Sequence, residues 1–258
     1  MLRKAILPRA ILVIMLTSAY FASVIVRRRK NASLRTRESN LHTSLGLNII
    51  AGPGGVLEQL FAVISSSPRI PLAFQYEREV TKVLRGLRGK IFLDIGAYRG
   101  FYSSLVSNNF RRVVAIEPDH ENVRIMRRVF RLASIDPEII ESAISSSDGI
   151  TVLYAPSDSA GHQISEVEGK HASHGLRIPT QSIASLVKKY GDIDVAKVDV
   201  EGAEWLVLKG AESVTQHLSR WIIELHDLGR RKELENWMLD HGYQFSWLDS
   251  THLYSWRR

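Results

Sequence analysis

Ile91-Phe92-Leu93-Asp94-Ile95-Gly96-Ala97-Tyr98-Arg99-Gly100 runs from apolar residues through an acid to two glycines, and Phe101-Tyr102-Ser103-Ser104-Leu105 follows at once. The pattern reads as a strand, a tight glycine turn and a helix. Asp94, Gly96 and Gly100 form a D-x-G-x-x-x-G turn. Missing side chains there let a ligand approach the backbone, and the start of a helix offers unpaired N–H donors. Tyr98 stands where the dinucleotide fingerprint G-x-G-x-x-G has its middle glycine, which disfavours a pyrophosphate pressed against the chain. The same turn also joins strands to helices in proteins that bind nothing at it.

Outward from this turn, short β-branched runs alternate with amphipathic stretches, the mark of a doubly wound α/β sheet. Strands are expected at Ile91 to Ile95, Val113 to Glu117, Glu138 to Ile144, Ile150 to Tyr154, Val195 to Val200 and Trp221 to Leu225. Helices are expected at Tyr102 to Ser107, Glu121 to Leu132, Ser182 to Tyr190, Ala203 to Lys209 and Arg231 to His241, and a further one over Tyr76 to Leu87, where Val80, Val83, Leu84 and Leu87 recur at helical spacing. Tyr243 to Leu248 and Leu253 to Trp256 read as a C-terminal hairpin. Ala155 to His174, rich in Ser, Gly and His, reads as a loop over the carboxyl edge of the sheet.

In open α/β sheets ligands bind beyond the carboxyl ends of the strands. Glu117 closes the second strand about twenty residues after the glycine turn, where a carboxylate accepts the two hydroxyl hydrogens of a ribose. An acid opening a turn before Pro118 is also common without a ligand. Further on, Lys197-Val198-Asp199-Val200-Glu201-Gly202-Ala203-Glu204 places Lys197, Asp199 and Glu201 on one side of a strand as it meets its loop. Three charges there need partners, either a ligand or a Lys197–Asp199 pair with Glu204 at a helix N-terminus.

Taken together, Phe92 to Gly100, Val114-Ala115-Ile116-Glu117-Pro118, Ala143 with Ser145 and Asp148-Gly149, Lys197 to Glu204, and Leu208-Lys209-Gly210-Ala211 resemble the FkbM-like class I methyltransferases that use S-adenosyl-L-methionine. The resemblance covers roughly residues 90 to 226. It implies a Rossmann-like class I methyltransferase sheet. It further implies that Asp94, Gly96, Ala97 and Gly100 shape the pocket for the methionine part of the cofactor, that Glu117 holds the ribose, that Ser142 and Ala143 border the adenine, and that Asp199 lines the path of the methyl group. Tyr98 departs from the asparagine usual in that family, and a phenol does not reproduce an amide's paired donor and acceptor.

A sulfonium methyl is already electrophilic, so the remaining tasks are alignment of an acceptor oxygen and removal of its proton. Asp199, Glu201, His226 and His162 are the candidate bases. Asp199 is favoured for its place in the site, and His226 for its intrinsic pKa and strand-end position. A divalent ion held by Asp199 with Glu224 or His226 is conceivable, but the spacing is a low-specificity signal and no metal is expected. The expected activity is O-methylation of a hydroxyl on a sugar, lipid-linked or similar small-molecule acceptor. A nucleotide-dependent oxidoreductase and a non-catalytic scaffold with a degenerate pocket stand as alternatives.

The 258 residues, 45% of them hydrophobic, suffice for one good-sized core plus an appendage. Residues 73–258 are expected to form the methyltransferase domain. With no cysteine in the chain, disulfides, thiolate metal sites and cysteine nucleophiles are excluded. Much of the net charge of +7 lies before residue 40, which argues against a broad nucleic-acid surface on the folded part. Ala10 to Val26 is uncharged and would reach about 25 Å as a helix. Arg27, Arg28, Arg29 and Lys30 follow it, outnumbering Arg3 and Lys4 on the amino side. Residues 1–30 therefore read as a single-pass membrane anchor with the catalytic domain facing the cytoplasm. Residues 31–72, with Gly52-Pro53-Gly54-Gly55 and Ser65-Ser66-Ser67-Pro68 framing a short apolar stretch, read as a linker or accessory segment.

Overall fold

The computed structural model describes residues 77–154, 163–165 and 175–257. The expected membrane anchor, the 31–72 segment and His162 lie outside these residues. Among the described residues, no helix is long and apolar enough to cross a membrane.

α1 (Arg78–Gly86) buries Val80, Thr81 and Leu84 along one stripe and ends where Leu87 turns extended. β1 (Gly89–Ile95), α2 (Phe101–Val106), β2 (Phe110–Ile116), α3 (His120–Ala133) and β3 (Glu138–Ile140) follow as alternating strands and helices. After an excursion described below come α4 (Ile183–Tyr190), β8 (Val195–Val198), α5 (Glu204–Lys209), β9 (Arg220–Glu224), α6 (Arg231–Asp240), β10 (Gln244–Trp247) and β11 (His252–Trp256). The main sheet has the order β10-β11-β9-β8-β1-β2-β3. β3, β2, β1, β8 and β9 run parallel, and β11 lies antiparallel between β9 and β10. This is the expected doubly wound sheet closed by the expected C-terminal hairpin. The chain reverses its direction of winding between β1 and β8.

Alternation along the strands makes two cores. Ile91, Leu93 and Ile95 join Val114, Ile116, Ala196, Val198 and Ile223 on one face. Phe92, Val113, Val195 and Ile222 meet Val80, Leu84, Tyr102 and Leu105 of α1 and α2 on the other. Register places Asp94 beside Lys197 on this second face, so two charged side chains stand in a layer that is otherwise apolar.

The excursion between β3 and α4 differs from expectation. Glu138 to Ile144 is not one strand: Ser142 N–H donates to Ile140 O at 3.1 Å and its hydroxyl to Pro179 O at 3.0 Å, which turns the chain out of the main sheet. Ala143–Ile144 (β4), Gly149–Tyr154 (β5), Gln163–Ser165 (β6) and Leu176–Gln181 (β7) form a separate sheet in the order β4-β7-β5-β6. β7 carries Pro179 in its interior, which demotes a strand reading from sequence. Within the stretch taken as a loop, β6 pairs antiparallel with β5.

Gly96 and Gly100 adopt φ of +77° and +81°. A Cβ on Gly96 would lie 1.7 Å from the carbonyl oxygen of Asp199, and one on Gly100 would lie 2.5 Å from the ring of Phe130. The missing side chains thus make room for neighbouring protein, a reason for glycine at both positions that the sequence does not show. Replacing Gly96 with Ala should cost more than about 4 kcal/mol, since the contact is with backbone that β1 and β8 hold in place. Gly202, at φ +100°, has nothing within 4 Å of such a Cβ, so Gly202→Ala should cost only the backbone strain, about 1 to 3 kcal/mol. Urea denaturation of the two variants should show this order; equal losses would refute the steric account.

Candidate active site

The carboxyl ends of β1, β2, β8 and β9 converge on a cluster of ionisable groups. Asp94, 1% exposed, accepts from the Ser103 N–H at 2.8 Å and the Ser103 hydroxyl at 2.7 Å, both through Oδ2. Its Oδ1 is buried and accepts no hydrogen bond. Burial pushes the Asp94 pKa up, against the pull of the Lys197 charge and the Ser103 donors. Because Asp94 sits in the core, its removal would strand Ser103 and weaken the fold as well as any ligand site.

Glu117 follows β2 and is buried. Its Oε2 accepts from the Tyr98 N–H at 2.8 Å, and its Oε1 from the Asp119 N–H at 3.0 Å and the Asn122 side-chain amide at 3.2 Å. Burial raises its pKa to about 7 despite these three donors. The N–H groups of Gly96 and Ala97 both donate to Ile116 O, that of Gly100 donates to Ala97 O, and that of Ser103 donates to Asp94. These donors, which the sequence suggested were free for a ligand, hold the turn together. What remains at the turn is acceptor capacity: the further lone pairs of Glu117, and the unpaired Oδ1 of Asp94, which is buried.

Ser142 and Ala143 are both buried. Ser142 fixes the turn out of β3, and Ala143 begins the second sheet, packed with Leu153 and Ile178.

Lys197 is the group around which the acids gather. Its side chain is 2% exposed, and Nζ donates to Asp199 Oδ2 at 2.7 Å. The same ammonium lies 4.7 Å above the ring of Tyr102, whose hydroxyl donates to Glu77. Burial acts to lower its pKa, but the charges of Asp199, Asp94 and Glu77 outweigh it, and the pKa is raised. The paired arrangement of Lys197 and Asp199 considered from sequence is therefore present. It leaves Asp199 Oδ1 facing His226, whose Nε2 is 3.9 Å away.

His226, in the loop after β9, donates from Nδ1 to Glu204 Oε1 at 2.7 Å. Its Nε2 lies 3.3 Å from Glu201 Oε2. Glu201, with φ of +51°, sits in a left-handed turn with Gly202, and Gly202 N–H donates to the same Oε1 of Glu204 at 2.9 Å. Glu201 first and Glu204 second raise the pKa of His226 to about 10. Sequence favoured His226 as the proton acceptor; in this arrangement it already carries its proton at neutral pH.

Three contributors escaped the sequence reading. Glu77 precedes α1 without a motif to mark it, Ser103 was read only as helix, and His252 belongs to the hairpin. His252 Nε2 lies 3.0 Å from Glu77 Oε2 and 3.5 Å from Glu224 Oε2, while Nδ1 faces Asp249 at 2.9 Å. Of these, only His252, at a strand end opposite Glu224, had a position that could have signalled it.

Residues 94–245 match the model of the methyltransferase FkbM domain, and the chain belongs to that family. No curated protein matches it by sequence. Among solved structures, the FkbM methyltransferase of Methylobacillus flagellatus KT is 18% identical, with a TM-score of 0.47 over 78% of this chain and 60% of that one. The chain thus spans three fifths of that enzyme's length. TrmK of M. capricolum, solved with S-adenosylhomocysteine, is 15% identical, with a TM-score of 0.40 over 70% of this chain and 66% of its own. The precorrin-6y C5,15-methyltransferase of Geobacter metallireducens GS-15 is 13% identical, with a TM-score of 0.44 over 74% and 92%. The expected cofactor, S-adenosyl-L-methionine, agrees with the family.

With Glu117 as the expected ribose acceptor, its raised pKa gives cofactor binding an expected pH dependence. Ribose hydroxyls donate to the carboxylate and not to the protonated acid, so affinity should rise as pH increases through about 7 and level off above it. In the affected range each unit of pH changes affinity by up to about tenfold. The sign for folding is opposite: Glu117 binds its proton more tightly folded than unfolded, so its contribution to stability declines as pH rises from the ordinary carboxylate range to about 7. Calorimetry of S-adenosylhomocysteine between pH 5.5 and 8.5 should show the rise, with proton release in low-pH buffers, and Glu117→Gln should flatten it. An unchanged profile in that variant would remove Glu117 from the ribose site.

Proposed function

We infer that this chain is an S-adenosyl-L-methionine-dependent O-methyltransferase acting on a hydroxyl of a glycan, glycolipid or similar small molecule. The reading is carried by one observation: in a chain of the FkbM family, Asp94, Glu117 and Asp199 come together at neighbouring strand ends where the winding reverses. When bound, the cofactor supplies an electrophilic methyl on sulfonium. Glu117 accepts from the ribose, and Asp94, held through Oδ2 by Ser103, shapes the pocket for the methionine part. Asp199 faces the acceptor with the oxygen that Lys197 does not hold. His226, fixed by Glu204 and Glu201, orients these acids and balances their charge.

The domain division extends this reading: residues 73–258 act as the enzyme, 1–30 tether it to a membrane, and 31–72 join the two, with the catalytic part on the cytoplasmic side. The apolar run Ala10 to Val26 and its basic flank support the tether. Full-length protein should sediment with membranes, and removal of residues 1–30 should leave a soluble domain that binds S-adenosylhomocysteine. Recovery of full-length protein in the soluble fraction without detergent would overturn the tether.

The enzymatic reading is tested by titrating S-adenosylhomocysteine and NAD into the same protein, followed by transfer of a radiolabelled methyl group to a panel of sugars and glycolipids. S-adenosylhomocysteine should bind and NAD should not; the reverse would refute it. Asp199→Asn should keep cofactor affinity while transfer falls by about a hundredfold or more. Lys197 retains Asp94 and Glu77, so this variant should remain folded with a lowered melting temperature. Normal transfer by a folded Asp199→Asn protein would exclude Asp199 from the reaction.

A further inference from the structure

Two triads of metal-ligating side chains lie along the carboxyl edge of β8 and β9. In each, the nearest ligand atoms are within 4.8 Å of one another: Asp199, Glu224 and His226 in one, and Glu77, Glu224 and His252 in the other. Their surroundings distinguish them. The His252 side chain is 4% exposed, with Asp249 beside Nδ1 and Glu77 beside Nε2, so a cation there would have to enter the core. The first triad is open, with side-chain exposures of 23% for Asp199, 22% for Glu224 and 27% for His226.

The orientation within the open triad is that of a metal ligand set. The almost fully buried carboxylate of Glu204 accepts a hydrogen bond from Nδ1–H of His226 and fixes the ring, leaving Nε2 toward the carboxylates. A carboxylate behind a histidine in this way sets the tautomer of a metal-bound imidazole. Asp199 is divided likewise: Oδ2 is held by Lys197, and Oδ1 faces His226. We propose that Asp199, Glu224 and His226 bind a divalent cation, beside the place where the acceptor hydroxyl would lie. One imidazole and two carboxylates suit manganese or a similar ion of mixed nitrogen and oxygen preference. An ion with bonds of about 2.1 Å needs adjacent ligand atoms about 3 Å apart. The triad therefore closes by rotation of side chains that are partly exposed, and Nε2 gives its proton to solvent as the ion takes that position. Open coordination positions would take water or the acceptor oxygen. An alcohol bound there loses its proton more readily, and Glu201, beside His226, can receive it.

This proposal deepens the methyltransferase reading and rests on it for its role, but its test is independent of methyl transfer. Titration of manganese(II) into the full-length protein, followed by the electron paramagnetic resonance of the free ion, should show one bound ion per chain. Glu224→Gln and His226→Gln should each weaken binding by at least about tenfold. Glu233→Gln, an exposed acid paired with Arg230 on α6, should not. In the wild type, pulsed resonance should detect an imidazole nitrogen coupled to the bound ion, a measurement that does not depend on either variant folding. No uptake at millimolar manganese, a bound ion without nitrogen coupling, or equal binding by folded variants would each overturn the site. Calorimetry of S-adenosylhomocysteine on the same samples separates the two readings. Cofactor binding without manganese uptake sinks only the cation site, and manganese uptake without cofactor binding sinks only the methyltransferase reading.

Discussion

A single buried ammonium sets the terms for the carboxyl edge of this sheet. Lys197 lies in a layer made by Phe92, Val195 and Ile222, and an unpaired charge there would cost several kcal/mol. Asp199 bonds it directly, Asp94 flanks it in register from β1, and Glu77 adds a third negative charge from the approach to α1. Those acids need partners in turn. Ser103 serves Asp94, Tyr102 and His252 serve Glu77, and the second oxygen of Asp199 is left toward His226. The site is the open end of a charge network whose closed end belongs to the core.

This arrangement makes stability and function hard to separate at the conspicuous motif residues. Asp94 is deep enough that its loss harms the fold, yet one of its buried carboxylate oxygens has no hydrogen-bond donor. Glu117 ties Tyr98, Asp119 and Asn122 together and is also the carboxylate proposed for the ribose. Conservative replacements, which keep volume and most hydrogen bonds, are therefore more informative here than truncation to alanine.

The doubly wound sheet and its hairpin were legible because their signals are local: alternation of apolar residues, helical spacing of buried ones, and glycine at the turns. Pairings between distant parts of the chain were not. Nothing near Gly96 reveals that the Asp199 carbonyl occupies the space where its side chain would be, and nothing near Gly100 reveals Phe130. These contacts give both glycines a packing role that their local sequence does not show. The second sheet was missed because Pro179 interrupts the pattern of β7, and β4 and β6 are only two and three residues long. His226 was found, but its protonation depends on Glu201 and Glu204 folding back toward it through a left-handed turn, a feature of backbone conformation and not of residue type.

Gly210 bears on how such a chain can diverge. A side chain there would fall 2.3 Å from the Ser145 carbonyl, so the end of α5 touches the backbone of the segment leaving β4. Asp148, three residues on, receives the Ser182 and Ser185 hydroxyls at the start of α4. Two motif pieces far apart in sequence are thus one mechanical joint. Lengthening or shortening the chain between Ser145 and Asp148 would misplace both contacts together, whereas the stretch from β5 to β7 can vary beyond the joint. Sequence change in that outer stretch would leave the joint itself in place.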